Sequence, residues 1–560
     1  MLKYELMGDN DYIFDPIGTI FTNRGIEDTE LFLNIDKKAS HDYKLLKNID
    51  LAVESLLKHI DNKSNILIVV DPDVDGFSSA TIVYQYIKLI EESTSVTWIL
   101  HDDKSHGIEK ITIPEGIDLI ILPDSGSGDF DRHKELRTKG IDIIVLDHHE
   151  VKKESKNAII VNPQICNYPN FNLSGAGVVI KFCEALDESL NVDYSNYFYD
   201  LVALGNIADS MSMKEMETRY YVQEGLKEIN NDFFNALIKK QEYSLGGKLN
   251  ITAVSFYIAP LINSVIRISN LNEKKEMFKA FLGVKELVKY KPRGGEETSV
   301  PLVDDVARRC ANSRAKQNRI RDKIVGEIEN YIEENELYNN KVIFVSGIAI
   351  AEKGLTGLVA NVIAAKYKRP AIILSNIDDK GFGKGSGRGY DKGGIENFKD
   401  KIIQTRLFEY AEGHQGAFGV KIHQKYFDKV NAKLNEMLFD YDIDDKYNVD
   451  FDIKASSLSP DLIYTINELE DYWGKDIDEP YLVVKDIPIA DAEVTLMGKK
   501  EDTIAIVFNG IKYMKFKTNQ ETYEEVLNAK KVSVVGKAKV NIYKDVLTPQ
   551  IAIDKMVLLK

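Results

Sequence analysis

A chain of 560 residues is too long for one ordinary core, and 44% hydrophobic with 29% charged residues describes a globular protein of roughly two to four domains. A formal charge of −16 argues against indiscriminate coating of nucleic acid, although a local basic channel remains compatible with it. No apolar run approaches the roughly 20 residues that span a bilayer, and the N-terminus is acidic and polar (Glu5, Asp9, Asn10, Asp11) where a secretory leader begins basic and turns apolar. The three cysteines, Cys166, Cys183 and Cys310, have no metal-ligand spacing and suit a reducing cytoplasm.

From Leu51 to about Gly225 the pattern alternates between strands and helices. Ile66–Val70, Val96–Leu100, Asp118–Leu122, Ile141–Leu146 and Ala158–Val161 read as buried strands, and 77–90, 133–139, 177–186 and 199–208 as helices. Such alternation predicts a mainly parallel α/β sheet with ligands beyond the carboxyl ends of its strands. Residues 302–337 read as one long helix, with isoleucines at 320, 324, 328 and 332. Its first half is basic from Arg308 to Lys323, a stripe that could track a phosphate backbone but reads more simply as a solvated helix face. A smaller α/β unit follows from Lys341 to about Gln424, with strands at 342–345 and 371–374 and a helix near 357–366. Within it the glycine-rich stretch 381–389 has the makings of an anion cradle, with free backbone N–H groups beside Lys384, Ser386 and Arg388. The C-terminal part is all-β: 503–517 predicts a hairpin about Asn509-Gly510, and 531–543 and 550–559 add strands of a small oligonucleotide-binding-type barrel.

Four sites place hard ligands at strand ends or on a helix able to face them. Asp71-Pro-Asp73-Val-Asp75-Gly76 follows Ile66–Val70, Pro123-Asp124-Ser125-Gly126 follows the third strand, Asp147-His148-His149 follows the fourth, and Asp209 closes Leu204-Gly-Asn-Ile-Ala-Asp209. Taken singly, an Asp-x-Asp turn is a solvated loop more often than a site, and a His-His pair is as often packing as ligation. Together, carboxylates with one or two imidazoles suit Mn²⁺ or Mg²⁺, where thiolates would suggest zinc. Two such ions clamp the attacking and leaving oxygens of a phosphoryl displacement.

These motifs resemble the DHH phosphoesterase superfamily, named for the triplet that stands here as Asp147-His148-His149, and within it the RecJ branch. Asn23-Arg24-Gly25-Ile26 with Phe32-Leu33, Ser174-Gly-Ala-Gly-Val178, Val202-Ala-Leu-Gly205, and Ala259-Pro260-Leu-Ile-Asn263 with Arg267 follow the branch's order. So do Gly354-Leu-Thr-Gly357, Tyr367-Lys-Arg-Pro370, Gly385-Ser386-Gly-Arg388 and Gly413-His414-Gln-Gly416. Nearly the whole chain is covered. The resemblance departs at Leu261, where an arginine is usual, at Glu412 in the Gly-Gly-His motif, in the loop His101-Asp-Asp-Lys104-Ser-His106, which usually carries a Pro and an Arg, and in a C-terminal segment reduced to Trp473-Gly474 and Glu479-Pro480.

The resemblance implies an α/β fold: a DHH phosphoesterase domain with a parallel sheet, a long linking helix, a smaller α/β substrate-binding domain and a C-terminal oligonucleotide-binding-type β-barrel. The expected bounds are 1–50 for an N-terminal segment, 51–225 for the DHH domain, 226–337 for a helical connector, 338–430 for the substrate-binding domain and 431–560 for the barrel. It implies two Mn²⁺ or Mg²⁺ ions held by Asp73, Asp75, Asp124, His148 and Asp209 with Asp71 beside them. Asp147 would orient a histidine and His149 would face the scissile phosphate, so that His149, Asp147 and Asp75 form the catalytic set. Lys384, Ser386, Arg388, His414, Asn263 and Arg267 would bind substrate. The implied activity is cytoplasmic 5′-to-3′ hydrolysis of single-stranded DNA to mononucleotides in repair or recombination, with a single-strand-binding protein or a helicase as recruiting partner and no membrane. Two alternatives stand beside it: a DHH phosphodiesterase of short oligoribonucleotides or cyclic dinucleotides, against which length and the C-terminal strands speak, and an inactive DHH-fold replication scaffold, against which the intact ligand set speaks.

Overall fold

A computed structural model describes residues 2–102, 105–151, 153–346, 353–544 and 546–560. Lys104, in the loop where the resemblance departs, lies outside them. The described residues divide into two compact units.

The unit formed by residues 30–315 and 470–478 carries the parallel sheet. Its strands β1 (Ile66–Val70), β2 (Val96–Leu100), β3 (Leu119–Pro123), β4 (Asp142–Leu146) and β5 (Ile159–Val161) lie in the order β2-β1-β3-β4-β5, all parallel. Strands covered on both faces carry unbroken apolar runs. Accordingly Leu67, Val69, Ile120, Leu122, Ile143 and Val145 fill one core, while Ile66, Ile68 and Val70 are equally buried on the opposite face. Helix α1 (Val74–Ile90) starts at once after β1, because the Asp73 side chain caps it by accepting from Gly76 N at 2.8 Å. Helices α2 (Phe130–Thr138), α3 (Gly175–Leu190) and α4 (Tyr199–Ala208) follow. The chain doubles back between β1 and β3, and this switch point is where open α/β sheets bind ligands. Asp71, Asp73 and Asp124 stand at its mouth.

The stretch Ile251–Ile268 is long and apolar enough to cross a membrane by length and composition, a run that the sequence pattern had not singled out. Over half of it is buried inside the fold, as in a core helix.

The helix expected over 302–337 runs from Leu302 to Glu334 (α5) and passes from this unit into the other. Part of its basic stripe is neutralised by ion pairs. Arg308 and Arg309 pair with Asp305, Arg309 also with Glu276, and Arg321 with Asp322.

The second unit comprises residues 1–29, 316–469 and 479–560. Its α/β part is a five-stranded sheet in the order β9-β10-β8-β7-β6, formed by β6 (Ile343–Val345), β7 (Ala371–Ile377), β8 (Phe382–Arg388), β9 (Phe408–His414) and β10 (Ala417–His423). Helix α6 (Thr356–Tyr367) packs on β7 and β8. Here the structure corrects the expectation from sequence. The glycine-rich stretch 381–389 is mostly strand β8, paired antiparallel to β7 on one side and β10 on the other, so its amides serve the ladder and no cradle of free N–H groups exists. The glycines are there for close approach: a Cβ at Gly385 would lie 2.1 Å from the Ile373 carbonyl oxygen.

The C-terminal part is a seven-stranded mixed sheet of oligonucleotide-binding type rather than a fully paired ring. It runs β11-β12-β16-β17-β15-β14-β13, formed by β11 (Phe451–Lys454), β12 (Leu482–Pro488), β13 (Glu493–Met497), β14 (Thr503–Phe508), β15 (Ile511–Phe516), β16 (Lys531–Tyr543) and β17 (Val546–Leu559). The Asn509-Gly510 turn has both residues at positive φ, 51° and 73°, as a tight hairpin requires. Tyr513 is core. The N-terminal residues join this unit: Tyr4–Leu6 pairs in parallel with Tyr447–Val449, and Arg24 makes a buried two-pronged pair with Asp450 at 2.5 and 3.1 Å.

Candidate metal centre

The carboxyl ends of β1, β3 and β4 converge with the end of α4. Asp71 is fully buried and Asp75 and Asp124 nearly so, at 0%, 2% and 1% exposure. His148 Nε2 stands 3.2 Å from Asp124 Oδ1 and 3.5 Å from Asp209 Oδ2. Ligand atoms of Asp124, His148 and His149 lie within 4.8 Å of one another, as do those of Asp75, His148 and Asp209, and those of Asp71, Asp73 and His106. Thus every sequence-predicted carboxylate and imidazole of the metal set belongs to one of three mutually close groups.

Local geometry holds them there. Asp124 sits at φ 70°, a left-handed conformation that a non-glycine residue adopts at some energetic cost and that recurs at functional sites. Asp75 accepts from the first amides of α3, Gly175 N at 2.5 Å and Ala176 N at 3.1 Å, so a helix N-terminus orients its carboxylate. Two glycines allow the approach. A Cβ on Gly175 would lie 2.4 Å from Asp124 Oδ1, and one on Gly205 would lie 2.2 Å from Asp75 Oδ1. The amides of Gly175 and Ala176 were not among the expected site groups. The helix-start motif Ser174-Gly-Ala-Gly carried the signal.

Asp147 is buried and saturated by donors. Ser127 N donates to Oδ2 at 3.0 Å, and His148 N, His149 N and His149 Nδ1 donate to Oδ1 at 2.8, 3.1 and 2.9 Å. Burial alone would raise its pKa, but the bonds from His149 and Ser127 outweigh this and hold it below the usual carboxylate range. In return the Asp147 bond lifts His149 to about 9 against the opposing effect of burial. His148 is pushed the other way, since burial lowers it. The neighbouring carboxylates rise, from burial first and mutual repulsion second: Asp73 to about 6, Asp209 to about 8 and Asp124 well above its ordinary value.

This donor set fits divalent cations. Although His148 Nε2 and Asp124 Oδ1 lie close together, neither Asp124 oxygen nor His148 Nε2 makes a hydrogen bond of good geometry among the described residues, whereas buried polar atoms are nearly always satisfied. Several buried carboxylates without a counter-charge are costly unless they take up protons or a cation. Oxygen-rich ligation with one or two imidazoles suits Mn²⁺ and Mg²⁺.

The expected substrate residues fall elsewhere. In the second unit Arg388, Ala417 and His414 share one rung across β8, β10 and β9, which puts Arg388 and His414 on the same face, with Lys384 and Ser386 on that face of β8. Ser386 Oγ lies 2.9 Å from Thr356 Oγ1, and a Cβ on Gly357 would lie 2.5 Å from Arg388 Nη2, so the start of α6 abuts both residues. Burial lowers the Arg388 pKa. Asn263 and Arg267 lie four residues apart on one face of the helix Ala259–Ile268.

Comparison with known proteins shows which families and folds the chain resembles. Residues 65–206 match the model of the DHH family, N-terminal domain, and residues 449–555 match that of the RecJ OB domain. The chain is 44% identical over 564 aligned residues, covering 99% of itself and 98% of the relative, to the SPbeta prophage-derived YorK of Bacillus subtilis strain 168, whose name gives single-strand DNA-specific exonuclease as its provisional activity. It is 23% identical to the single-stranded-DNA-specific exonuclease RecJ of the same organism, covering 98% of the chain and 69% of the relative. The crystal structure of RecJ in complex with Mn²⁺ from Thermus thermophilus superposes with a TM-score of 0.73 at 19% identity, covering 97% of this chain and 76% of that one.

Proposed function

Because the chain belongs to the RecJ branch of the DHH phosphoesterases, we propose that it is an exonuclease that hydrolyses single-stranded DNA from the 5′ end to mononucleotides. The observation that carries this reading is the cluster of buried carboxylates at the sheet's switch point, with both oxygens of Asp124 unsatisfied.

Asp73, Asp75, Asp124, His148 and Asp209, with Asp71 beside them, hold two Mn²⁺ or Mg²⁺ ions. When bound, such ions supply an activated water and neutralise charge on the phosphodiester. The chain's own groups do the rest. The α3 amides fix Asp75 in place. Asp147 keeps His149 protonated and aimed, so that Nε2 can donate to an oxygen of the scissile phosphate as negative charge develops there. Arg388, with Ser386, Lys384 and His414 on the same face, grips phosphate of the strand, and Asn263 and Arg267 make further substrate contacts. Strand polarity comes from that grip, because a metal site by itself polarises any phosphodiester it reaches.

The domain bounds near residues 50, 225, 337 and 430, a role in repair or recombination, and recruitment by a single-strand-binding protein or a helicase belong to the same reading. Three cysteines free of disulfides support a reducing, cytoplasmic setting.

The test is a time course on single strands labelled at either end, with Mn²⁺, Mg²⁺ or EDTA, beside Asp124→Ala. Mononucleotide release from the 5′ end, abolished by EDTA and by the variant, is expected. Digestion from the 3′ end removes the polarity assignment, and full turnover in EDTA removes the metal mechanism.

A further inference from the structure

The expected ligand set contains one ligating imidazole, His148, whereas the structure brings a second to the same site. His106 Nδ1 lies 2.5 Å from Asp71 Oδ2, and ligand atoms of Asp71, Asp73 and His106 lie within 4.8 Å of one another. This group shares no residue with the group of Asp75, His148 and Asp209. Two non-overlapping ligand triads at one strand-end cluster, each of two carboxylates and one imidazole, mark two coordination positions, with Asp124 joined to the triad of Asp75, His148 and Asp209 through the group it forms with His148 and His149.

The backbone beside His106 is held in place. Gly107 takes φ 68°, where a Cβ would lie 2.2 Å from Asp129 Oδ2. Asp129 accepts from Ile108 N at 2.7 Å, and Gly107 N points at Asp71 Oδ1 at 3.4 Å. Only a glycine fits between His106 and the Asp129 anchor, so the imidazole is presented to Asp71 by a clamped turn. Its side chain is 60% exposed while that of Asp71 is fully buried, so the ring covers the carboxylate from the solvent side without filling the core.

We propose that His106, through Nδ1, is a ligand of the ion held by Asp71 and Asp73. The inference rests on the metal-dependent reading above and adds a nitrogen donor to the second position. Mg²⁺ prefers all-oxygen octahedral sites, whereas Mn²⁺ accepts imidazole more readily. His106 therefore biases the second position toward Mn²⁺.

The full-length protein is titrated with Mn²⁺ and, separately, with Mg²⁺ by calorimetry, and Mn²⁺-bound samples are examined by pulsed electron paramagnetic resonance for coupling to imidazole ¹⁴N. His106→Ala and His106→Asn are compared with Asp124→Ala. Because His106 is mostly exposed, its variants should fold, and an unchanged thermal midpoint without metal checks this. Wild-type protein is expected to bind two Mn²⁺ ions. Both His106 variants should keep one ion at wild-type affinity, weaken the other by about tenfold or more, lose part of the ¹⁴N signal, and change Mg²⁺ binding far less. Unchanged Mn²⁺ affinities and ¹⁴N coupling in both His106 variants, while Asp124→Ala loses an ion, overturn the role of His106 and leave the metal centre standing. Absence of Mn²⁺ binding by the wild type, or binding indifferent to Asp124→Ala, overturns the metal centre itself.

Discussion

Oδ1 of Asp147 accepts from Nδ1 of His149 at 2.9 Å, so a buried anion is bound to the ring of the residue that follows a metal-ligand candidate. The bond leaves His149 Nε2 free to face substrate and keeps the ring charged. His149→Gln should lower kcat by about a hundredfold while changing KM much less, as expected of a group that acts on developing charge. The sign with pH follows from the raised pKa. The imidazolium is present below about 9 and is lost as pH rises through that value. Asp147→Asn removes the anion that raises it, so the alkaline limb of the kcat profile should move to lower pH. Steady-state kinetics across the range from about pH 6 to about pH 10 checks both, and a limb that stays in place in Asp147→Asn separates Asp147 from His149.

Metal removal should destabilise the protein more at alkaline pH. Asp73 and Asp209 are raised to about 6 and about 8, and Asp124 is raised well above its ordinary value, all from burial and repulsion. A carboxyl whose folded pKa exceeds its unfolded value binds more protons when folded, so stability without ions falls as pH rises from the ordinary carboxylate range to about 8. A divalent ion reverses this by taking the protons' place. The thermal shift produced by Mn²⁺ over EDTA should therefore be larger at about pH 8.5 than at about pH 5.5. Equal shifts at the two pH values would contradict the coupling.

Arg388→Ala should weaken binding of 5′-phosphorylated strands by about 2 kcal/mol, as loss of a charged hydrogen-bonded pair does. It should matter much less for 5′-hydroxyl strands, which offer less negative charge at that end. Equilibrium binding of both strand types in Ca²⁺ measures the difference, and equal losses would reduce Arg388 to a contact along the backbone.

Arg24 and Asp450 form a buried pair whose side chains are 3% and 1% exposed, with Arg24 also donating to the Ile20 carbonyl. Removing one partner leaves the other charged in a low dielectric, so Arg24→Ala should cost about 3–5 kcal/mol of stability. Denaturant unfolding of the variant checks this. Activity at low temperature should survive in the fraction that stays folded, since neither residue touches the carboxylate cluster's own hydrogen bonds.

What could be read from the sequence alone is what short-range order encodes. Ile66–Val70 running into Asp71-Pro-Asp73-Val-Asp75-Gly76 is at once a buried strand, a cap and the start of a helix, and Asp142–Leu146 running into Asp147-His148-His149 is likewise a strand that delivers its ligands at the carboxyl end. Side-chain period and the residues next in line determine both. The hairpin at Asn509-Gly510 was legible for the same reason. Partnership across long separations was not. Asp75 meets the Gly175 amide 100 residues on, and His106 meets Asp71 across 35, so nothing local marks His106 as more than a loop residue. The stretch Gly381–Gly389 shows the reverse error. Alternating glycines carry almost no hydrophobic period, so the strand is invisible until Ala371–Leu374 and Ala417–His423 pair with it and take up the amides that an isolated loop would have offered to an anion. Strand pairing is a contact between distant segments, and only the tertiary structure decides which backbone groups remain free for chemistry.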